Sequence, residues 1–238
     1  MSECFNEDLP NDHLLPPFLP VASNNLLQVY TINCLIEQSS VPSVFILMAD
    51  KSENTYIRAL HVLFEALNGI GPLSVMLDFE QATKNAYLNV FGDAIQIRFC
   101  PFHLGQSILR KIQKSKLTHV YTTNDDYKKL VRSLAALSFL RPIQVTPAFN
   151  LLRQKAQELY IAPIQNGGDP MTIFDYFART YVIRENGGAP LFPIEMWNHH
   201  ESILVDLGRT NNAQEGFHLA LRKQFSSAHP PLSKYNLF

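Results

Sequence analysis

Apolar positions along the chain fall into distinct rhythms. From Leu26 to Ile36 (LLQVYTINCLI) and from Pro42 to Ala49 (PSVFILMA), β-branched and aromatic residues crowd into short runs. EQSSVP between them supplies turn chemistry, so the pattern predicts an antiparallel hairpin. The period then changes: Tyr56, Ile57, Leu60, Leu63, Phe64 and Leu67 recur at helical spacing, with Ser52 placed to cap the first turn and Glu53 beside it. Asn68-Gly69 and Gly71-Pro72 stop that helix. Next, strand 73–77, helix 79–90, strand 95–99 and helix 102–115 alternate, which predicts parallel strands joined by crossover helices. A hairpin followed by such units gives an α/β fold with a mixed sheet.

From Asn124 the strand rhythm disappears. Tyr127, Leu130, Val131, Leu134 and Leu137 form a helical stripe, 145–161 holds another, and Pro170 to Val182 predicts a third helix. QNGGDP (165–170) and RENGGAP (184–190) carry the Gly and Pro punctuation of loops. A last helix is expected over 211–224, carrying Glu215, Phe217 and His218. At the front, Pro10, Pro16, Pro17 and Pro20 among Asn, Asp and Ser predict an extended or loosely ordered lead-in. The expected organisation is a lead-in at 1–25, an α/β core at 26–120, an all-helical insertion at 121–208 and a C-terminal helix within 209–238 that completes the core.

Composition narrows the classes of function. With 238 residues, 46% of them hydrophobic and 17% charged, the chain can bury a sizeable core. It has no run of eighteen apolar residues and an acidic start, MSECFNEDLPND, so a soluble intracellular protein is expected, neither membrane-bound nor secreted. Cys4, Cys34 and Cys100 are odd in number and widely spaced, which argues against a disulfide framework. A net charge of -1 gives no global pull toward nucleic acid, so DNA binding would need a local basic surface. Arg110, Lys111, Lys114 and Lys116, followed by Lys128, Lys129 and Arg132, offer one; solvated helix faces explain the same charges.

Three groups of residues can carry chemistry. Asp78 stands where the apolar strand runs out, the place where open α/β sheets put their reactive groups, and a carboxylate there can hold Mg²⁺. Capping of a helix beginning at Phe79 explains it equally, and Glu80 reads as a favourable charge in that helix's first turn. Cys100 and His103 have the C-x-x-H spacing of half a zinc site, which His199, His200 or His218 could complete only through tertiary contact; a buried thiol and a hydrogen-bonded histidine are the alternative. In GRTNNAQEGFHLALRK, Asn211 or Asn212 with Glu215 approaches a capping box, yet the same run offers Arg209, two amides and His218, all able to touch a phosphate backbone. The solitary Trp197 reads as core or groove wall.

In order along the chain, QVYTINCLI, VPSVFILMADKSENTYIRAL, MLDFEQATKNAYLNVFGDAIQIRFCPFHLGQSILRKIQ, RSLAALSF and RTNNAQEGFHLALRKQF followed by HPPL resemble successive blocks of the transposase domain of Mutator-like elements, from about Leu26 to Lys234. This family has an RNase H-like fold and a DDE-type active site. The resemblance implies an RNase H-like mixed sheet with flanking helices and a helical insertion, with Asp78 as the second catalytic carboxylate and Glu215 as the last. It further implies Mg²⁺ or Mn²⁺ at Asp78 and Glu215 for attack on a DNA phosphodiester; beside it, the spacing of Cys100 and His103 leaves zinc there as an option, and the charge pattern makes Arg110, Lys111, Lys114, Arg209 and Asn211 the expected DNA contacts. DNA, as element termini or non-specific duplex, is the implied partner, the nucleus the implied compartment, and a homo-oligomer a further expectation.

One block departs. Where the family has a D-G-T-F-like strand, this chain reads LLPPFLPVASNNLLQVYTI, without an Asp, and its prolines cannot donate the ladder bonds of a central strand. Asp12 is offset, and Asp50 is the other carboxylate that would have to reach the site. A copy truncated at both ends, inactive for want of the first carboxylate, is expected. Three readings follow: an active transposase, a catalytically dead DNA-binding or chromatin-associated relative, and a non-functional fragment with exposed strand edges.

Overall fold

The hairpin rhythm becomes two antiparallel strands, β1 (Gln28–Ile36) and β2 (Ser39–Met48), in a computed structural model that describes residues 28–36, 39–159, 168–183 and 187–204. Pairing runs from Gln28↔Met48 to Ile36↔Ser39, with a bulge at Ile32/Asn33. The second sheet holds β3 (Ser74–Leu77) and β4 (Gln96–Phe99). Its direction follows from two 3.0 Å bonds: the Gln96 amide donates to the Leu73 carbonyl and the Cys100 amide to that of Leu77. Partner numbers rise together along both strands, as only a parallel pair allows. The expected α/β class and parallel crossover hold. The described strands nevertheless make two two-stranded sheets instead of one mixed sheet, because β1 and β3 each pair with a single strand among the described residues.

Two compact units share the chain. Among the described residues, the first holds those up to Val75 together with Glu80–Gln96. In it, helix α1 (Glu53–Ala66) begins as expected at Ser52, whose hydroxyl oxygen accepts from the Thr55 amide at 3.3 Å, and ends where Asn68 and Gly69 take positive φ of 54° and 79°. Its buried face, Tyr56 and Leu60, lies four residues apart on one stripe and packs with α2 (Gln81–Phe91), which buries Ala86 and Tyr87. Each fully buried large side chain of this kind contributes roughly 1.5–3 kcal/mol. Tyr30 of β1 packs edge-on against Tyr56, ring centroids 5.2 Å apart, and its hydroxyl donates to that of Tyr87 at 3.4 Å.

The second unit holds Met76–Phe79 and the described residues from Ile97 onward. Helix α3 (Pro101–Lys114) starts on a proline at its first position and buries Leu104, Ile108 and Ile112 at four-residue spacing. Facing it, α5 (Asp125–Ala136) buries Tyr127, Val131 and Leu134, and its N-cap Asn124 accepts from the Tyr127 amide at 2.9 Å. Between them lies α4 (Thr118–Thr123), a short helix that the sequence pattern did not reveal. A 3₁₀ turn (Leu137–Phe139), α6 (Pro142–Glu158) and α7 (Thr172–Phe177) continue the helical block. A π-helical turn (Ala178–Val182) follows, and α8 (Ile194–Trp197) and α9 (His200–Leu204) end the description. The lead-in at 1–25 and the helix expected over 211–224 lie outside the described residues. Among the described residues no helix is long and apolar enough to cross a membrane.

Candidate functional site

Parallel strands release their chains at the same end, so the β3–β4 register makes neighbours of the residues that follow each strand. Asp78 follows β3 directly, and Cys100 follows β4. Helix α2, however, starts at Gln81 rather than at Phe79, and its N-cap is Glu80 with no side-chain capping bond. Asp78 therefore does not cap α2, and Glu80 is not in the first turn: its carboxylate accepts from the Tyr56 hydroxyl at 3.2 Å. What Asp78 meets is His103, in the first turn of α3, with Oδ1 2.8 Å from the imidazole Nδ1.

The geometry is that of a charge contact. The imidazole N–H does not align with the oxygen as a hydrogen bond would, although the atoms are close. The Asp78 side chain is 64% exposed and that of His103 21%. Close contact with the Asp78 carboxylate is the main reason the imidazole is pushed up to about 10, with the neighbouring Cys100 side chain second and partial burial working the other way. The contact thus favours the protonated form of His103, seated beside a largely solvated carboxylate.

Cys100 is buried at the N-cap position of α3, and both described cysteines, Cys34 and Cys100, are free thiols. His199 and His200 do not join the Cys100 and His103 pair. His199 is buried with Nε2 2.8 Å from the Phe99 carbonyl oxygen, which requires the proton on Nε2, and His200 Nδ1 lies 3.2 Å from that of Phe139. Burial is the main cause that lowers the His199 titration. Among the described residues no three His, Cys, Asp or Glu side chains converge as metal donors. Asp50 belongs to the first unit, where its carboxylate accepts from the amide and the hydroxyl of Ser52 at 2.8 and 2.7 Å. Asp12, Glu215, Arg209, Asn211 and His218 lie outside the described residues.

Of the basic residues on α3, Arg110 and Lys114 are exposed and one helical turn apart. Arg110 donates to Gln106 Oε1 at 2.9 Å, and the Lys111 ammonium stands 5.6 Å from the centroid of the Tyr176 ring. Lys111 and Lys114 occupy the last turn, where positive charge complements the helix dipole. Trp197 is core, its indole N–H shared between the carbonyls of Tyr181 and Phe192 at 3.1 and 3.2 Å. The apolar side of the site comes from a residue that sequence reasoning passed over. Phe79, next to Asp78, is stacked on Phe99 with centroids 4.7 Å apart and meets Tyr181 and Phe192 edge-on at 5.3 and 5.2 Å. Nothing in its spacing marks it, since its partners lie about 20 to 113 positions away along the chain.

Comparison with known proteins gives one family match: residues 22–107 match the family model described as the MULE transposase domain. Neither the curated proteins nor the solved structures give a match. The matched stretch runs from ahead of β1 into α3 and so includes the hairpin, the parallel pair, Asp78, Cys100 and His103. Over residues 22–107, then, this chain is similar to the MULE transposase domain.

Proposed function

We propose that this chain is a transposase-derived protein that engages DNA through an RNase H-like domain and does not cleave it. The observation that supports the reading best is Asp78, set at the carboxyl end of a parallel strand, relieved of capping duty, and faced by the histidine of a C-x-x-H pair. The order of hairpin, α1 and parallel crossover fits the RNase H-like reading. Cleavage fails on the donor set. A two-metal site needs several oxygens in fixed positions, and the stretch ahead of β1, LLPPFLPVASNN, has no Asp to supply the first. Asp78 and Glu215 would leave that set one carboxylate short of holding two cations. Cys100 and His103 are likewise two donors where structural zinc takes four.

DNA engagement is assigned to α3, with Arg110, Lys111 and Lys114 on phosphates, and with Arg209 and Asn211 as further contacts. A DNA partner fits a nuclear or other intracellular compartment. Gel-shift titrations of duplex DNA across a salt series test this. Binding is expected to weaken steeply with salt, and Lys111→Ala with Lys114→Ala should flatten the slope by roughly one unit for each phosphate no longer neutralised. No shift at low salt refutes the DNA reading. Incubation of DNA with Mg²⁺ or Mn²⁺ tests the second half: strand cleavage that Asp78→Asn abolishes would make the protein an active transposase.

A further inference from the structure

We propose that Phe79 is a positioning residue that seats the Asp78 carboxylate against His103, and that the helical part of its unit builds the seat. The proposal rests on the reading of Asp78 as the functional carboxylate. Its basis is the way the turn between β3 and α2 is held. Asp78, Phe79 and Glu80 lie between the two elements, and Asp78 makes no capping bond that would fix it. The side chain next to it is held on three sides, by Phe99, Tyr181 and Phe192.

Those walls are themselves tied. The Tyr181 hydroxyl shares a 2.8 Å hydrogen bond with Ser107 of α3, and the π-helical turn that carries it closes with the Ile183 amide on the Ala178 carbonyl at 2.8 Å. The Phe192 amide donates to the Thr180 carbonyl at 2.9 Å, and the Trp197 indole N–H bridges the carbonyls of Tyr181 and Phe192. His199 holds the carbonyl of Phe99. A ring boxed in by fixed aromatic faces has one orientation, and its backbone neighbour inherits that restraint. Because α3 carries both Ser107 and His103, one helix fixes the cage wall and the partner of Asp78.

Nuclear magnetic resonance on isotopically labelled protein tests the proposal. Cross-relaxation between the Asp78 β-protons and the His103 ring protons reads the contact directly, and the His199 ring signals report that the core is intact. Phe79→Ala is expected to weaken the Asp78–His103 cross-peaks by roughly fivefold, as when a loosened support lets a contact open by about 1 Å, with His199 unchanged. Undiminished cross-peaks in folded Phe79→Ala overturn the proposal. Should that variant not fold, Phe79→Leu decides, since it keeps most of the volume and removes the stacking: full cross-peaks there overturn it equally. DNA binding measured on the same samples separates the two claims, because loss of binding by the unmutated protein sinks the functional reading while leaving the cross-peak result intact.

Discussion

Replacing Asp78 by Asn isolates the one charge contact at the centre of the site. In the native protein His103 titrates near 10, well above its ordinary 6.5, chiefly because Asp78 lies 2.8 Å from its Nδ1. A raised histidine gives the folded state its extra stability in full below the ordinary value, and the gain disappears as pH rises from 6.5 through about 10. Taken at face value a shift of that size would be worth several kcal/mol, at about 1.4 kcal/mol per unit. Asp78 is 64% exposed, however, and water screens the pair, so its contribution is on the order of 1 kcal/mol.

The assay has two arms. A proton-resonance titration of the His103 ring should give a midpoint above 6.5 in the native protein, raised by one unit for about every 1.4 kcal/mol that the screened contact contributes, and closer to 6.5 in Asp78→Asn, with Cys100 retaining part of the upward push. Urea unfolding at pH 6 and pH 9.5 should show the native protein ahead of the variant by about 1 kcal/mol at the lower pH and by little at the higher. The difference between the two proteins cancels other groups that titrate near 10. A native His103 midpoint near 6.5, or one unmoved by Asp78→Asn, refutes the assignment.

Other predictions address the frame around the site. His199, lowered chiefly by burial, should make the protein less stable as pH falls below 6.5, because the unfolded chain then binds the proton more readily; thermal unfolding at pH 7.5 and 5 should show the loss, and His199→Asn should remove the pH-dependent part. Gly168→Ala places a Cβ onto the carbonyl oxygen of Ser115, backbone against backbone, and should cost about 1–3 kcal/mol in chemical denaturation. Trp197→Ala empties the centre of the second unit and orphans two carbonyls, for a loss of roughly 3–5 kcal/mol in the same measurement.

Much of the local structure was legible in the residues because its causes are local. Ser52 caps α1 and Asn68-Gly69 ends it, and the stripe of Tyr127, Val131 and Leu134 is the buried face of α5. The parallel crossover followed from alternation alone. Where a boundary depends on a distant ring, the pattern misled. Phe79 is apolar and precedes a helical stripe, so it read as the start of α2, but it belongs to the aromatic cluster, and the helix starts at Gln81. Likewise His199 and His200 looked like candidate ligands because histidine adjacency carries no information about the carbonyls of Phe99 and Phe139 that hold them.

Asp78 shows why the two halves of the matched motif need each other. Capping and ligation make the same local demand, a carboxylate at a strand-to-helix turn, so no inspection of LDFEQA can separate them. The parallel register separates them, because it brings the C-x-x-H pair, 22 residues along the chain from Asp78 to Cys100, to the same strand ends. Asp78 does not cap α2, whose N-cap is Glu80, and its carboxylate stands 2.8 Å from the imidazole Nδ1 of His103. The helical block then carries more than its lack of motifs implies: Tyr181 and Phe192 meet edge-on the ring of Phe79, the residue next to the site's carboxylate. A substitution in that block can therefore disturb Asp78 without altering any residue of the family match.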